Sequence, residues 1–504
     1  MKRRTLLKTV LISALFSGSL LSSLSTVAEE KTVSVALPFD VESWDPTARV
    51  IPHATSLYKT VFDQPLEYDA DNKLQPGVVK EYKWIGNDGL TLELNLRGDV
   101  YFHNGDKLTS EDIRYTFFER PQADKSIQLG YIWWMLTGID TPAPDRAVMH
   151  FSQPFVTAPE YLGFASSFIL PKKYIEKVGM DEFLKHPVGS GPYKLVSYQR
   201  NNRMVLKAFD KYWGGVPAIK NLTIQVIPTA TSRVSALQSG QVDLAYALPI
   251  REALRLGKLP DVTSALTPTV DTYLIHMVNK GPLQDKNVRL AMHYAIDKTA
   301  LSRALLNGLA EPLSAANPPG TPSYDPDFKV EYSQAKAKEY LAKSGYSTEN
   351  PVTFKFLATN GVHPADNQMA RAIVQMWKKV GINAELETID FGKYFQEVAA
   401  GTLEGPALWL WNNSTGDPEL YTGSYLNADT MFSVWRSEDV MARLRPLLKE
   451  TNYDKRIEDY KGFNRWVVEE GFTIPLLEGV NSVAHRKTLP YKAYRNGWIM
   501  PSEW

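Results

Sequence analysis

A short segment near position 410 combines side chains that could hold a polar molecule. It reads Trp409-Leu410-Trp411-Asn412-Asn413-Ser414-Thr415. The indole rings offer flat faces for stacking, and the amides and hydroxyls offer uncharged hydrogen-bond donors and acceptors. This chemistry suits a sugar-like or otherwise hydroxylated ligand. Alternate residues share a face only in a regular strand, so Trp409 could instead be a core residue, leaving Trp411 alone to touch the ligand.

Further residues are candidates for the same role. Trp44 lies in the loop after the first predicted strand, and loops that follow strands of an open sheet face ligand clefts. Trp133 and Trp134 are adjacent, and we expect Trp133 to be a core residue and Trp134 to be the stacking plate. His363 and Asp366 belong to a polar loop that precedes an amphipathic helix.

The sequence patterns of catalysis are missing from this chain. There is no G-x-S-x-G elbow, no H-E-x-x-H and no Walker loop. Gly189-Ser190-Gly191 is short, and Pro192 removes an amide that a phosphate cradle would use. Adjacent Glu111 and Asp112 indicate the first turn of a helix, where the helix dipole favours acids. We therefore predict neither an enzyme nor a cofactor.

The histidines do not form a recognisable metal motif. The eight of them are scattered, and no two lie four residues apart on a predicted helix. A pre-formed metal site is therefore not predicted. His53 and His363 stay open as ligands to a metal chelate or haem that arrives as cargo.

The first 28 residues have the pattern of a secretory signal peptide. Positions 2–4 are basic, positions 11–24 are uncharged and apolar, and positions 26–28 are compact enough for a signal peptidase. The apolar run is shorter than the ~18–20 residues that a membrane span needs. The Arg3-Arg4 pair resembles a twin-arginine motif, so the Sec and twin-arginine routes both stay open.

The amino-acid composition limits the cellular compartments and the binding partners that fit this protein. The chain has no cysteine, which excludes disulfides, thiolate chemistry and a lipid-modified N-terminal cysteine. A second membrane would then have to retain the exported protein, so we expect the periplasm of a Gram-negative bacterium. The 56 Lys and Arg balance the 56 Asp and Glu, which gives no basic face for nucleic acid. We expect a soluble monomer.

Apolar periodicity predicts a mixed α/β protein. Alternation predicts strands at 32–37, 91–96, 147–151, 222–228 and 383–389. Helical spacing predicts helices at 287–307, 334–343, 366–380, 434–448 and 453–470. Glycine and proline clusters at 187–192, 268–271 and 478–482 are where we expect the chain to pass between structural units.

Five segments, in order, resemble extracellular solute-binding protein family 5, the oligopeptide-, dipeptide- and nickel-binding group. The first is Leu94-Asn95-Leu96-Arg97-Gly98-Asp99-Val100-Tyr101-Phe102-His103-Asn104-Gly105, with Leu108-Thr109-Ser110-Glu111-Asp112-Ile113 after it. The others are Val188-Gly189-Ser190-Gly191-Pro192-Tyr193, Ala236-Leu237-Gln238-Ser239-Gly240-Gln241-Val242-Asp243, Val288-Arg289-Leu290-Ala291-Met292-His293-Tyr294-Ala295-Ile296-Asp297, and Trp411 through Gly416-Asp417-Pro418.

The resemblance implies a periplasmic-binding-protein-like II fold with two lobes, an inserted third domain and a ligand cleft between the lobes. The expected segments are a signal peptide at 1–28, domain I at 29–60, 185–268 and 480–504, domain II at 61–184 and domain III at 269–479. The resemblance also implies that the lobes close on a solute, which passes to the membrane permease subunits of an ABC importer.

Position 414 departs from the family pattern. In peptide-binding members, an Asp three residues after the loop Trp pairs with the α-ammonium of the peptide, and here that position is Ser414. A buried ammonium needs a carboxylate. We therefore expect a small polar organic solute that is neutral and hydroxylated, sugar-like, or a peptide whose amine is bound elsewhere. A conventional di- or oligopeptide-binding protein and a metal-chelate or haem receptor are the alternatives.

Overall fold

A computed structural model describes residues 32–360, 362–430 and 433–504. The predicted signal peptide lies outside the described residues. Within them, no helix is both long enough and apolar enough to cross a membrane.

The strands alternate with helices along most of the chain. The strands are β1 (Thr32–Leu37), β2 (Leu66–Tyr68), β3 (Leu74–Pro76), β4 (Val79–Trp84), β5 (Thr91–Leu96), β6 (Leu136–Ala143), β7 (Arg146–Phe151), β8 (Tyr193–Gln199), β9 (Arg203–Ala208), β10 (Asn221–Val226), β11 (Leu244–Tyr246), β12 (Val262–His276), β13 (Val352–Ala358), β14 (Ile382–Thr388), β15 (Ala407–Trp411) and β16 (Thr473–Arg486).

The α-helices are α1 (Thr55–Val61), α2 (Ser110–Arg114), α3 (Arg120–Ala123), α4 (Leu129–Ile132), α5 (Ala158–Leu162), α6 (Lys172–Val178), α7 (Met180–Lys185), α8 (Ala230–Gln238), α9 (Ile250–Leu256), α10 (Lys286–Tyr294), α11 (Lys298–Leu305), α12 (Gln334–Lys343), α13 (Asp366–Lys378), α14 (Phe391–Ala400), α15 (Ser424–Leu426), α16 (Glu438–Lys449) and α17 (Tyr453–Glu469).

A ten-stranded sheet runs through the molecule in the order β14-β13-β15-β12-β16-β11-β1-β10-β9-β8. A four-stranded antiparallel sheet, β4-β5-β7-β6, has its own core, and β2 and β3 form a small hairpin. The apolar side chains around β13, β15 and α13 form one core, and those around β1, β10 and α1 form another. These two cores define the two lobes named below: the α13 lobe and the β1 lobe.

The long strands β12 and β16 connect the two lobes. They are paired from Val262 to Pro268, and the pairing resumes at Thr272, opposite Glu478. Three residues of β12, 269–271, therefore face the single residue Gly479 without regular pairing. An extra stretch of this kind bends the strand and interrupts the hydrogen bonds between the two paired strands. We refer to residues 269–271 and Gly479 as the crossing.

Two of the segments that resemble the family pack on each other. His103 donates its backbone N–H to Gly189 O at 2.8 Å, and its Nε2 lies 2.9 Å from Gly191 O. Gly191 N–H donates to Val61 O, at the end of α1, at 2.9 Å. The glycines allow two stretches of backbone to approach more closely than side chains would permit.

The helix predicted at 287–307 is two helices, so that prediction was wrong in its extent. α10 begins after Asp285, whose side chain accepts the Asn287 N–H, and α11 begins after Asp297, whose side chain accepts the Ala300 N–H. Because Asp297 caps a new helix, it interrupts the apolar periodicity that suggested one long helix. The predictions for 32–37, 91–96 and 334–343 are confirmed residue for residue.

Candidate ligand-binding site

Loops from the two lobes meet above the crossing. In the α13 lobe, β13 and β15 run parallel and lead into loops 359–365 and 412–418. In the other lobe, β1 runs parallel to β10 and β11, and the loop after β1 leads to His53. His53 is close enough to His363 for its charge to lower the pKa of His363. Loops at the carboxyl ends of parallel strands form ligand clefts.

The two tryptophans of β15 have different environments. Trp409 is 3% exposed and stacks on Tyr394, with ring centroids 4.0 Å apart. Trp411 is partly exposed, its indole N–H donates to the Leu420 carbonyl, and its ring meets the edge of His276 at 5.3 Å. Trp409 therefore belongs to the core of its lobe, while Trp411 keeps surface that a solute could touch.

The loop after β15 is held by Asn413. Its Nδ2 donates to Asp417 O at 2.8 Å, and its Oδ1 accepts the backbone N–H groups of Thr415 and Gly416 at 3.1 and 3.0 Å. This amide has a structural role in the loop. Asn412 is exposed, whereas Ser414 is 8% exposed and its hydroxyl has no hydrogen-bond partner among the described residues.

Asp271, in the crossing, borders the same loop. Its Oδ1 accepts the Asn413 N–H at 3.3 Å, and the side chain of Asn412 also bonds to the carboxylate. The sequence analysis missed this residue. A single acid in the apolar and β-branched run of β12 was a signal that could have identified it.

A buried ion pair anchors the far end of the loop. Arg456 donates to Asp417 Oδ2 and Oδ1 at 2.8 and 2.7 Å, and both side chains are almost fully buried. Glu419 lies 3.6 Å from the same guanidinium and accepts a 2.8 Å hydrogen bond from Thr157, beside α5. The loop of the α13 lobe is thereby tied to the region of the four-stranded sheet.

Glu160 of α5 faces this ion pair without a partner for its buried Oε2 in the described part of the chain. Burial, and then the negative charge of Asp417, raise the pKa of Glu160 from 4.5 to about 8. Between these two pH values the folded protein holds a proton that the unfolded chain has released. The unfolding free energy therefore falls as pH rises through this window, by at most ~1.4 kcal/mol per pH unit.

Glu160→Gln should remove this pH dependence, because the amide stays neutral. We expect the variant and the wild type to be similar in stability at pH 5, with the variant increasingly more stable as the pH approaches 8. Urea unfolding at four pH values measures the difference. The exposed Glu458 provides a control variant, Glu458→Gln, which should follow the wild-type curve. Parallel curves for Glu160→Gln and the wild type would contradict the assignment.

The loop after β13 places His363 and Asp366 in different roles. Asp366 Oδ2 accepts the backbone N–H groups of Val362 and His363, both at 3.1 Å, and the Thr359 hydroxyl at 2.7 Å. Asp366 thus shapes the loop. His363 lies edge-on to Trp409 at 5.5 Å, and its buried Nε2 has no partner among the described residues. Burial lowers the pKa of His363 to about 4, so the ring is neutral.

The two other candidate tryptophans lie apart from this loop. Trp44 is buried in the core of the β1 lobe, edge-on to Tyr198 at 5.4 Å. Trp134 is 61% exposed, whereas its neighbour Trp133 is buried against Phe117, as predicted. In the described structure neither Trp44 nor Trp134 makes a ring contact with Trp409 or Trp411.

Potential metal ligands do not cluster. Among the described residues, no three His, Cys, Asp or Glu side chains are arranged to hold a metal ion. His53 and His363 are the pair that the fold brings near each other across the cleft. A metal bound there would need additional ligands from the solute that carries it.

Comparison with known sequences gives a consistent family. The profile of the bacterial extracellular solute-binding proteins, family 5 (middle), matches residues 73–433. The glutathione-binding protein GsiB of Salmonella paratyphi A is 25% identical over 94% of this chain and 92% of its own length. The dipeptide-binding protein of Escherichia coli K12 is 26% identical over 77% of each chain.

Solved structures share the fold. DppA of Helicobacter pylori, in complex with the peptide STSA, has a TM-score of 0.79 at 21% identity and covers 94% of this chain and 96% of its own. NikZ of Campylobacter jejuni, in complex with Ni(L-His), has a TM-score of 0.80 at 19% identity and covers 93% of this chain and 97% of its own. The predicted type II periplasmic-binding-protein fold is confirmed.

The geometry agrees with that assignment, since two lobes meet at a loop rich in hydrogen-bonding groups. The chain is the substrate-binding protein of an ABC importer and not an enzyme. With the profile matched over most of its length, this protein belongs to the bacterial extracellular solute-binding proteins of family 5.

Proposed function

We propose that this protein captures a small polar organic solute by lobe closure, and that the solute is peptide-like with its amine bound away from position 414. The observation that carries the proposal is the loop itself: Asn412 is exposed, and the Ser414 hydroxyl has no partner in the described part of the chain. Position 414, the family's ammonium site, therefore offers no charge. Uncharged hydrogen-bond acceptors can orient the polar backbone of a peptide, but they offset little of the cost of burying its ammonium group.

The relatives favour this form over a neutral, sugar-like solute. Two of the relatives described above are named for glutathione and dipeptides, and DppA was solved with a tetrapeptide, whereas NikZ was solved with Ni(L-His). The loop chemistry by itself suits both kinds of solute, whereas a carboxylate beside the loop, on Asp271, suits the peptide form.

Native mass spectrometry of the protein purified from its host tests the proposal directly, because a co-purified solute adds its own mass. Calorimetry with glutathione, short peptides and neutral sugars then ranks the classes. We expect at least one peptide-like compound to bind. Tight binding of a sugar with no binding of any peptide would contradict the peptide form.

Ser414→Asp should shift recognition toward free-amine peptides. A carboxylate at this position restores the family pattern and attracts an ammonium, so the ratio of affinities for a free and an N-acetylated peptide should rise by ~10-fold or more. We expect folding to be retained. Ser414→Ala, which removes the hydroxyl and adds no charge, is the matched control and should leave the ratio near that of the wild type. Calorimetry measures both, and an unchanged ratio in Ser414→Asp would argue against a solute contact here.

A metal-chelate or haem receptor is a second candidate. It is favoured by the Nε2 of His363, which lies near His53 and has no partner among the residues that the structure describes. A neutral imidazole is a good ligand for nickel, iron and zinc. Elemental analysis of the protein as purified, before and after addition of free histidine, tests this candidate. Sub-stoichiometric amounts of nickel and iron in both samples would exclude a metal-chelate or haem receptor.

We further propose a periplasmic, monomeric protein with no nucleic-acid partner, exported by a Sec or twin-arginine signal from a Gram-negative bacterium. The absence of cysteine and the balanced charge support this proposal. The domain boundaries proposed from the sequence place domain junctions near 268 and 480, two positions that pair with each other directly beside the crossing.

A further inference from the structure

Asp271 occupies a distinctive position in the fold. It is the last of the three residues that β12 leaves unpaired where the chain passes between the lobes. It is 8% exposed, and its carboxylate is bonded by the Asn413 N–H and the Asn412 side chain. The carboxylate therefore lies where the chain passes between the lobes, against the loop that carries Ser414.

No Lys, Arg or charged His pairs with this carboxylate within residues 32–360, 362–430 and 433–504. Its hydrogen bonds come from Asn412, Asn413 and Thr269, all uncharged. Other buried acids nearby are compensated: Asp417 is paired with Arg456, and Glu478 is within electrostatic reach of Arg495.

An uncompensated buried carboxylate is costly to keep ionised. Burial raises the pKa of Asp271 to about 6, so at neutral pH the group is still mostly charged. A fold that holds a charged acid here, without a cation of its own, has a ready position for a cation that arrives with the solute.

We propose that Asp271 receives the ammonium group of the solute, in place of the carboxylate that position 414 lacks. The assignment rests on the proposed function, since it locates the amine of a peptide-like solute. The side chain of Asn412 already bonds to this carboxylate, so it helps to hold the carboxylate in position for the ammonium.

The test uses three probes, each with a free or an acetylated amino terminus: glutathione, the dipeptide Met-Leu and the tetrapeptide Ser-Thr-Ser-Ala. Calorimetry compares the wild type, Asp271→Asn and the control Asp63→Asn. Asp63 is also a buried acid, but it is bonded to Trp213 Nε1 at 3.1 Å, away from the loop. Asn at position 271 keeps an oxygen for the Asn413 N–H, so we expect the variant to fold, and circular dichroism checks this.

We expect the wild type to bind at least one free-amine probe and to bind its acetylated form at least ~30-fold more weakly. Asp271→Asn should bind the free form as weakly as the wild type binds the acetylated form, while Asp63→Asn should match the wild type. Equal binding of free and acetylated probes, or full discrimination in folded Asp271→Asn, would overturn the assignment and leave the proposed function standing. Failure of every probe to bind the wild type would overturn both.

Discussion

Arg456→Ala should lower the free energy of unfolding by about 3–5 kcal/mol, because it leaves a buried acid without its counter-charge. The Arg456 guanidinium is 2% exposed and makes two hydrogen bonds to Asp417. Without the guanidinium, the three acids Asp417, Glu419 and Glu160 lie near one another with no positive charge between them. Urea unfolding followed by tryptophan fluorescence measures the loss.

Arg445→Ala is the matched control for this change. Arg445 also pairs with an acid, Glu438, but both side chains are exposed, so its loss should cost less than about 1 kcal/mol. Asp417→Asn added to Arg456→Ala should recover part of the stability, because it removes the stranded charge. A cost for Arg456→Ala as small as that of Arg445→Ala would show that the buried pair does not anchor the loop.

Gly189→Ala should prevent folded protein from accumulating, with a cost above about 4 kcal/mol. A Cβ atom at this position would lie 1.9 Å from Val61 O and 2.8 Å from the Phe62 ring. Val61 O cannot easily retreat, because it accepts the Gly191 N–H. The yield of soluble protein and its circular dichroism spectrum measure the effect.

Gly98→Ala, in another segment that resembles the family, is the control. Nothing lies within 4 Å of a Cβ atom at Gly98, and its backbone is outside the left-handed region. This variant should be produced at the wild-type level. Normal yield of Gly189→Ala with a native spectrum would mean that the close approach to α1 is not required.

The sequence was most informative where one periodicity dominates. β1 and β5 alternate β-branched or leucine side chains with polar ones, and both were predicted with their observed ends. The helix predicted at 434–448 begins instead at Glu438, after Ser437, because Val434 and Trp435 pack into the core as part of a loop. Apolar residues in a buried loop cannot be distinguished from a helical face by spacing alone.

The candidate site was predictable as a loop but not in its detail. Trp411, Asn412 and Ser414 lie together at the end of β15 and in the loop after it, whereas the side-chain hydrogen bonds of Asn413 stay within that loop. Asp271 meets Asn413 across 142 positions of sequence. Pairings over such distances depend on how the lobes are assembled, and a single sequence carries no local pattern for them.

The position of Asp271 in the crossing has a mechanical consequence. If the lobes rotate about the unpaired residues 269–271, a group on that axis moves very little as the cleft opens and closes. A charged group of the solute can therefore bind Asp271 before the lobes close, and its binding contributes little to the rotation of the lobes. The force that closes the cleft must then come from contacts between the lobes that lie away from this axis. Affinity and closure would thus be set by different residues.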